Sequence, residues 1–421
     1  MSANGTHVSR RQFVKSAAVA AAATGAFPYF ARAQGAEKPL KVGLIGCGGR
    51  GTGAAHDAMN ADPNVKVTAL ADVFKDRLEG CRNDIKNQSL VEDRYCFVGF
   101  DAYKKILETD VDYVILATPP YFRPEHFEAA IRAGKHVFTE KPVGVDPVGI
   151  RRFMAAGQEA RSRKLSVVAG TQRRHQKGYV ETIKRIHDGA IGDVVAGQAY
   201  WNGGHLWFRK RLPGWDDMEW MIRDWVNWCW LSGDHVVEQH VHNIDVMNWV
   251  IGRHCLKVLA MGGRARRVTG DQYDYFAADV CYPVNDKDKD GRLHVTSHCR
   301  QVDKCDGGVY EHVVGTKGFS NCNGWLSTGE KFDTKGTNPY VQEHKDLIAA
   351  IRGGEPLNEA QNVAESTLTN IMIRMSAYTG REITWDEAMK SDLELKKPDY
   401  ELTEENIRAH VPIAGQPPKE A

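Results

Sequence analysis

Several absences bound this chain before any motif is read. Neither sign of charge is in excess: 55 lysines and arginines stand against 54 aspartates and glutamates over 421 residues. With no long basic run and no acidic tail, no nucleic-acid surface is expected. Nine cysteines show neither C-x-x-C pairs nor metal-ligand spacing, so buried free thiols are expected in place of a disulfide framework or a zinc ribbon. H-E-x-x-H is missing too, as is any internal repeat. No segment approaches the ~18 apolar residues of a membrane-spanning helix, so stable membrane insertion is not expected. What remains is an ordinary globular composition, 42% hydrophobic, long enough for two or three domains.

The first residues read as an address. Ser9-Arg10-Arg11-Gln12-Phe13-Val14-Lys15 resembles a twin-arginine export signal. An alanine-rich apolar stretch too short to span a bilayer follows, then Ala31-Arg32-Ala33 ahead of Gln34. Residues 1–33 are therefore expected to be a signal peptide read by the twin-arginine export machinery. The mature chain would then work in a periplasm or outside the cell.

Residues 41–51 are an apolar run emptying into G-x-G-x-x-G, with Gly46, Gly48 and Gly51 at the key positions. A helix-compatible stretch follows, then a second apolar run ending on Asp72. This is the pattern of a dinucleotide fold: tight turn, close approach of a pyrophosphate, and helix packed on strand. Gly46, Gly48, Gly49, Arg50 and Gly51 are the predicted phosphate cradle. Asp72 would accept bonds from a ribose 2′-hydroxyl and repel a 2′-phosphate, which favours NAD over NADP. Further strands are predicted at 41–46, 65–71, near 95–98, 112–117 and 136–139, alternating with helices. That alternation predicts a doubly wound parallel α/β sheet over residues 38–162. The fourth strand ends in Thr118-Pro119-Pro120, a loop at the carboxyl edge of the sheet, where such folds bind ligands.

Lys135-His136-Val137-Phe138-Thr139 leads into Glu140-Lys141-Pro142. With the glycine turn, the Thr118 loop and His126, these residues closely resemble the Gfo/Idh/MocA oxidoreductases, from about residue 40 to about 390. The resemblance implies a catalytic Lys141 before a proline that is often cis, with Thr118, Pro119, Pro120, His126, Glu140, Lys141 and Gln172 beside an NAD cofactor. It also implies a homodimer or homotetramer built through an open sheet.

From residue 163 to 400 the texture changes to hairpin-connected β runs (194–201, 258–262, 273–282, 292–299, 308–315) after one crossover helix. A second, α+β domain with a largely antiparallel sheet is expected, its C-terminal helices packing back on the first domain, with 401–421 as a tail. Residues 201–230 hold seven of the ten tryptophans, interleaved with arginines and Asp224. Flat rings beside polar forks suit the C–H faces and hydroxyls of a sugar or polyol. Arg173, Arg174, Trp201, Trp207, Asp224, Trp225 and Asp245 are the predicted substrate residues. In Glu238-x-x-x-His242 a glutamate replaces the aspartate usual in the family, with Asp245 three residues further on. A spacing of four would put both side chains on one helical face. His242 would take the substrate proton, and Glu238 would orient it or bind a second hydroxyl. No metal is expected. The acidic loop 286–291 lacks the closing glutamate of a calcium loop and reads as a hairpin tip.

The expected function is an exported NAD-dependent oxidation of a sugar or polyol secondary hydroxyl, with tightly held cofactor. A redox-neutral NAD-dependent glycosidase or epimerase, and a non-catalytic sugar-binding protein, are the alternatives.

Overall fold

The computed structural model describes residues 38–416. The predicted signal peptide and its predicted cleavage site lie outside the described residues. The described residues fall in one compact unit built on two sheets.

The first sheet is six-stranded and wholly parallel, in the order β3-β2-β1-β4-β5-β6. Its strands are β1 Leu40–Ile45, β2 Val65–Asp72, β3 Cys96–Val98, β4 Tyr113–Leu116, β5 His136–Thr139 and β6 Val167–Ala169. Tyr113, Val114, Ile115 and Leu116 of β4 are all buried, as a parallel strand covered by helices on both faces must be. That is why near-continuous apolar runs located these strands to within a residue or two. The boundary at residue 162 is corrected, because β6 joins this sheet beside β5.

The second sheet has seven strands in the order β12-β11-β7-β10-β9-β8-β13. They are β7 Val194–Gly203, β8 Lys257–Gly263, β9 Tyr275–Tyr282, β10 Leu293–Gln301, β11 Gly308–Gly315, β12 Gly318–Ser320 and β13 Ile383–Thr384. Every pairing is antiparallel except β7 with β10. Burial alternates along β10, so one face packs on helices and the other lies open. That open face displays Leu259, Met261, Tyr275 and Tyr310.

Helix Ala360–Thr379 is buried along nearly its whole length and lies against both β8 and helix Pro147–Ser162. One continuous core results, running from Ile45 and Leu116 of the first sheet to Met247, Val295 and Leu368 of the second half. Arg374 on this helix is buried and donates to the carbonyls of Val145 (2.7 Å) and Gly233 (3.0 Å). Helix Pro339–Gly353 packs back on helix Gly49–Ala61. The tail is not loose either. Helix Glu404–His410 buries Ile407 in a tryptophan cluster.

All nine cysteines are free, and seven of them are buried. The 286–291 segment is a turn organised by Asp288, whose carboxylate accepts the amides of Val284, Asp290 and Arg292. Among the described residues no helix is long and apolar enough to cross a membrane.

Candidate active site

The glycine turn has the shape its sequence demands. Gly46 takes φ +99°, and a Cβ there would lie 2.7 Å from the Ala117 and Thr118 backbone. Helix Gly49–Ala61 starts so close behind that a Cβ on Gly51 would meet the Gly46 oxygen at 1.8 Å. Over Gly48 and Gly49 nothing lies within 4 Å of an added Cβ, and no side chain caps the helix. Free amides at a helix N-terminus facing open space fit a dinucleotide pyrophosphate. Asp72 is fixed at the end of β2, its two carboxylate oxygens accepting the amides of Cys47 (2.7 Å) and Phe74 (2.8 Å). Burial pushes its carboxyl above the usual range, and those two bonds oppose the shift.

Beyond β5, Glu140 is buried and its carboxylate pairs with the Arg50 Nε at 3.0 Å. The Arg50 guanidinium also lies over the Tyr340 ring, whose hydroxyl accepts from the Gln172 amide at 3.4 Å. The Lys141–Pro142 peptide is cis. Lys141 Nζ donates to the Glu238 carbonyl oxygen at 2.7 Å and to its carboxylate at 3.0 Å.

This contact corrects the predicted helix. Residues His235–Glu238 form one short turn and Val241–Ile251 a separate helix. With Lys141 on the Glu238 carbonyl, the His242 amide turns to the Gln239 carbonyl (3.4 Å). Glu238 and His242 therefore face the lysine from two elements, not from one helical face.

His242 is buried, and its ring stacks on Trp201 at 5.8 Å with 19° between the planes. Burial, then Lys141, then Arg173 hold it well below the ordinary histidine range, so it is neutral. Its Nδ1 is buried without a partner, which leaves Nε2 as the nitrogen open to the cleft. Arg173 pairs with the buried Glu311 and lies 6.0 Å from the Trp201 ring. Glu311 also accepts the hydroxyl of Tyr179 at 2.9 Å. Lys141, Glu238, His242, Trp201 and Arg173 thus converge at the carboxyl edge of the first sheet.

Other predicted residues are placed elsewhere. Arg174 and Asp245 are spent on each other, with bonds of 2.8 and 3.0 Å, and Ser366 donates to the same carboxylate. Asp245 is buried and Arg174 only slightly exposed, so neither is free for the predicted substrate role. Asp224 is fully buried, accepting the Arg209 amide (2.6 Å) and the Asn227 side chain (2.9 Å), and burial raises its carboxyl to about 6. It shapes the tryptophan-rich segment from within. His126 lies beneath the Thr118-Pro119-Pro120 loop against Tyr103, facing the Thr118 hydroxyl at 3.3 Å. Burial lowers it to about 3, so it buttresses the loop as a neutral ring. His240 bonds Ser297 and is buried.

The tryptophans divide. Trp228 and Trp230 are core, packed with Met221, Ile222 and Ile407. Trp207 is half exposed and meets Trp225 edge-on at 6.3 Å. Around this cluster sit Val73, Phe74, Tyr121 and Phe122, the residues just beyond Asp72 and Pro120. Arg223 fastens the segment there, bonding Asp76 at 2.9 and 3.0 Å and lying 3.9 Å over the Phe74 ring. Tyr340 and Glu311 were missed by sequence reasoning. Each lies more than 130 residues from its partner, and no local pattern marks either.

Residues 40–168 match the family model GFO_IDH_MocA, described as "Oxidoreductase family, NAD-binding Rossmann fold". Inositol 2-dehydrogenase of Paracoccus denitrificans is 27% identical over 212 residues, half of this chain and 54% of that protein. A glycosyl hydrolase family 109 protein of Streptomyces coelicolor is 28% identical over 172 residues, 41% of this chain and 35% of that protein. The chain thus spans about half or less of the length of these relatives. The structure of scyllo-inositol dehydrogenase from Lactobacillus casei, with bound NAD(H) and scyllo-inositol, superposes with a TM-score of 0.63 at 19% identity. It covers 82% of this chain and 99% of its own. Residues 40–168 are thus similar to the NAD-binding Rossmann domain of the Gfo/Idh/MocA oxidoreductases, and the two-sheet fold is shared with that dehydrogenase.

Proposed function

We propose that this protein is an exported NAD-dependent oxidoreductase that acts on a secondary hydroxyl of a sugar or polyol and keeps its cofactor bound. One observation carries the reading: Lys141, neutral His242 and the Trp201 ring meet beside the glycine turn. Bound NAD supplies the hydride acceptor. Lys141 carries three donors and uses two on Glu238, which leaves one for a substrate oxygen. Its charge there stabilises the oxyanion that develops as the C–H bond breaks. His242, neutral and open at Nε2, accepts the hydroxyl proton. Trp201 offers a flat apolar surface to the C–H face of a sugar ring, and Arg173 a donor beside it. Asp72 selects NAD over NADP by repelling a 2′-phosphate.

Retention follows from the tryptophan-rich segment, which Arg223 fastens against residues adjoining Asp72. A cofactor loaded before twin-arginine export would stay in place through it. The exposed apolar face of the second sheet would pair two copies of the chain.

The likeness to a glycosyl hydrolase family 109 protein favours a second reading on the same residues. In it the hydride returns to the substrate after the glycosidic group is eliminated and water is added, with no net redox change.

The test is to purify the protein without added nucleotide, denature it and identify what is released. Stoichiometric NAD(H) is expected. Lys141→Ala should lower turnover of candidate sugars by roughly 10²–10⁴ with cofactor content unchanged. Unchanged turnover would refute the assignment. Aglycone release without accumulating NADH would select the redox-neutral reading.

A further inference from the structure

The outer face of the second sheet carries a cluster that the proposed chemistry does not use. Asp279 and Cys281 are two apart on β9, so their side chains share one face. His294 on β10 is the direct cross-strand partner of Cys281. Cys281 Sγ lies 3.6 Å from His294 Nδ1 and 3.8 Å from Asp279 Oδ2. His294 Nδ1 is 2.8 Å from the same carboxylate oxygen. All three ligand atoms lie within 4.8 Å of one another.

Those separations can be compared with a tetrahedral zinc site. Bonds of about 2.3 Å to sulfur and about 2.0–2.1 Å to nitrogen and oxygen place sulfur about 3.6 Å from each of the other two ligands. The two sulfur distances already match. The nitrogen–oxygen pair is shorter than the ~3.4 Å such a site requires, because without an ion those two atoms hydrogen-bond directly. A small opening of one exposed side chain completes the geometry. Asp279 and His294 are half exposed while Cys281 is buried beneath them, so the ion would enter from solvent and seat on the sulfur before two copies pair through this face. Lys257, opposite Cys281 on β8, lies at the site's edge, and its charge is held by Glu382 at 3.2 Å.

We infer that Asp279, Cys281 and His294 form a binding site for a divalent zinc-like cation, with water as the fourth ligand, pinning β9 to β10 on the open face. A thiolate with an imidazole and a carboxylate selects zinc over magnesium or calcium, which take oxygen donors. Binding displaces the thiol proton to solvent as the sulfur–metal bond forms. The spacing is invisible in sequence because the three ligands come together only through strand register.

The inference stands apart from the catalytic proposal and is tested on the untagged full chain after chelator treatment. Cobalt(II) should bind with one equivalent giving a near-ultraviolet thiolate-to-cobalt charge-transfer band, and zinc should bleach it. Cys281→Ser should abolish the band with the circular dichroism unchanged, and His294→Ala should weaken cobalt binding by about tenfold or more. No band in the native chain, or a band that survives in Cys281→Ser, would overturn the site.

Discussion

His344 lies flat on Phe138, ring centroids 4.1 Å apart, with both ring nitrogens buried and unpartnered. Burial lowers it to about 3, far below the ordinary value near ~6.5. The folded state therefore refuses a proton that the unfolded chain takes up. Stability from this residue is whole above pH ~6.5 and is lost as pH falls through the window down to about 3. His344→Phe keeps the stack and removes the titration. Between pH 7 and 5.5 the variant should gain about 1 kcal/mol relative to the native chain, measured by denaturant unfolding at both pH values. An unchanged difference would mean that the ring is charged in the fold. Placements of this kind were legible in the sequence only where a motif fixed them, as for the turn at Gly46 and for Asp72 at the end of β2. Asp245 and Arg174 looked available for a substrate because sequence cannot show that they consume each other across 71 residues.

At the scale of elements, strands were the most legible part. β1, β2 and β4 are apolar runs closed by glycine, aspartate and proline, and the burial of parallel strands on both faces makes such runs nearly unambiguous. The break at Gln239 and His240 was illegible, since a lysine 97 residues upstream takes the carbonyl that a continuous helix would need. The tryptophan-rich segment was legible as unusual, but its division into core and cleft depends on what lies beneath it. Its fastening gives a prediction. Arg223→Ala removes two bonds to a largely exposed Asp76 and the stack on Phe74. After allowance for solvent screening that is about 1 kcal/mol. Cofactor release, followed by fluorescence, should accelerate roughly fivefold, and limited proteolysis within residues 204–216 should quicken with it. Unchanged rates for both would remove the segment from the account of retention.

The whole molecule shares one core between its sheets, threaded by helix Ala360–Thr379 and tied by Arg374. Residues 38–416 should therefore melt in one transition, with calorimetric and van't Hoff enthalpies equal. Saturating NAD should raise the stability of that single transition by about 2.7 kcal/mol at a hundredfold excess over Kd. Two separated melting steps would contradict the shared core. The same architecture gives Lys141 an unusual anchor. Its ammonium comes from one half of the body and rests on a main-chain oxygen contributed by the other. No amino-acid replacement at position 238 deletes that oxygen. The side chain at position 238 can thus change while the oxygen that holds the Lys141 ammonium stays in place.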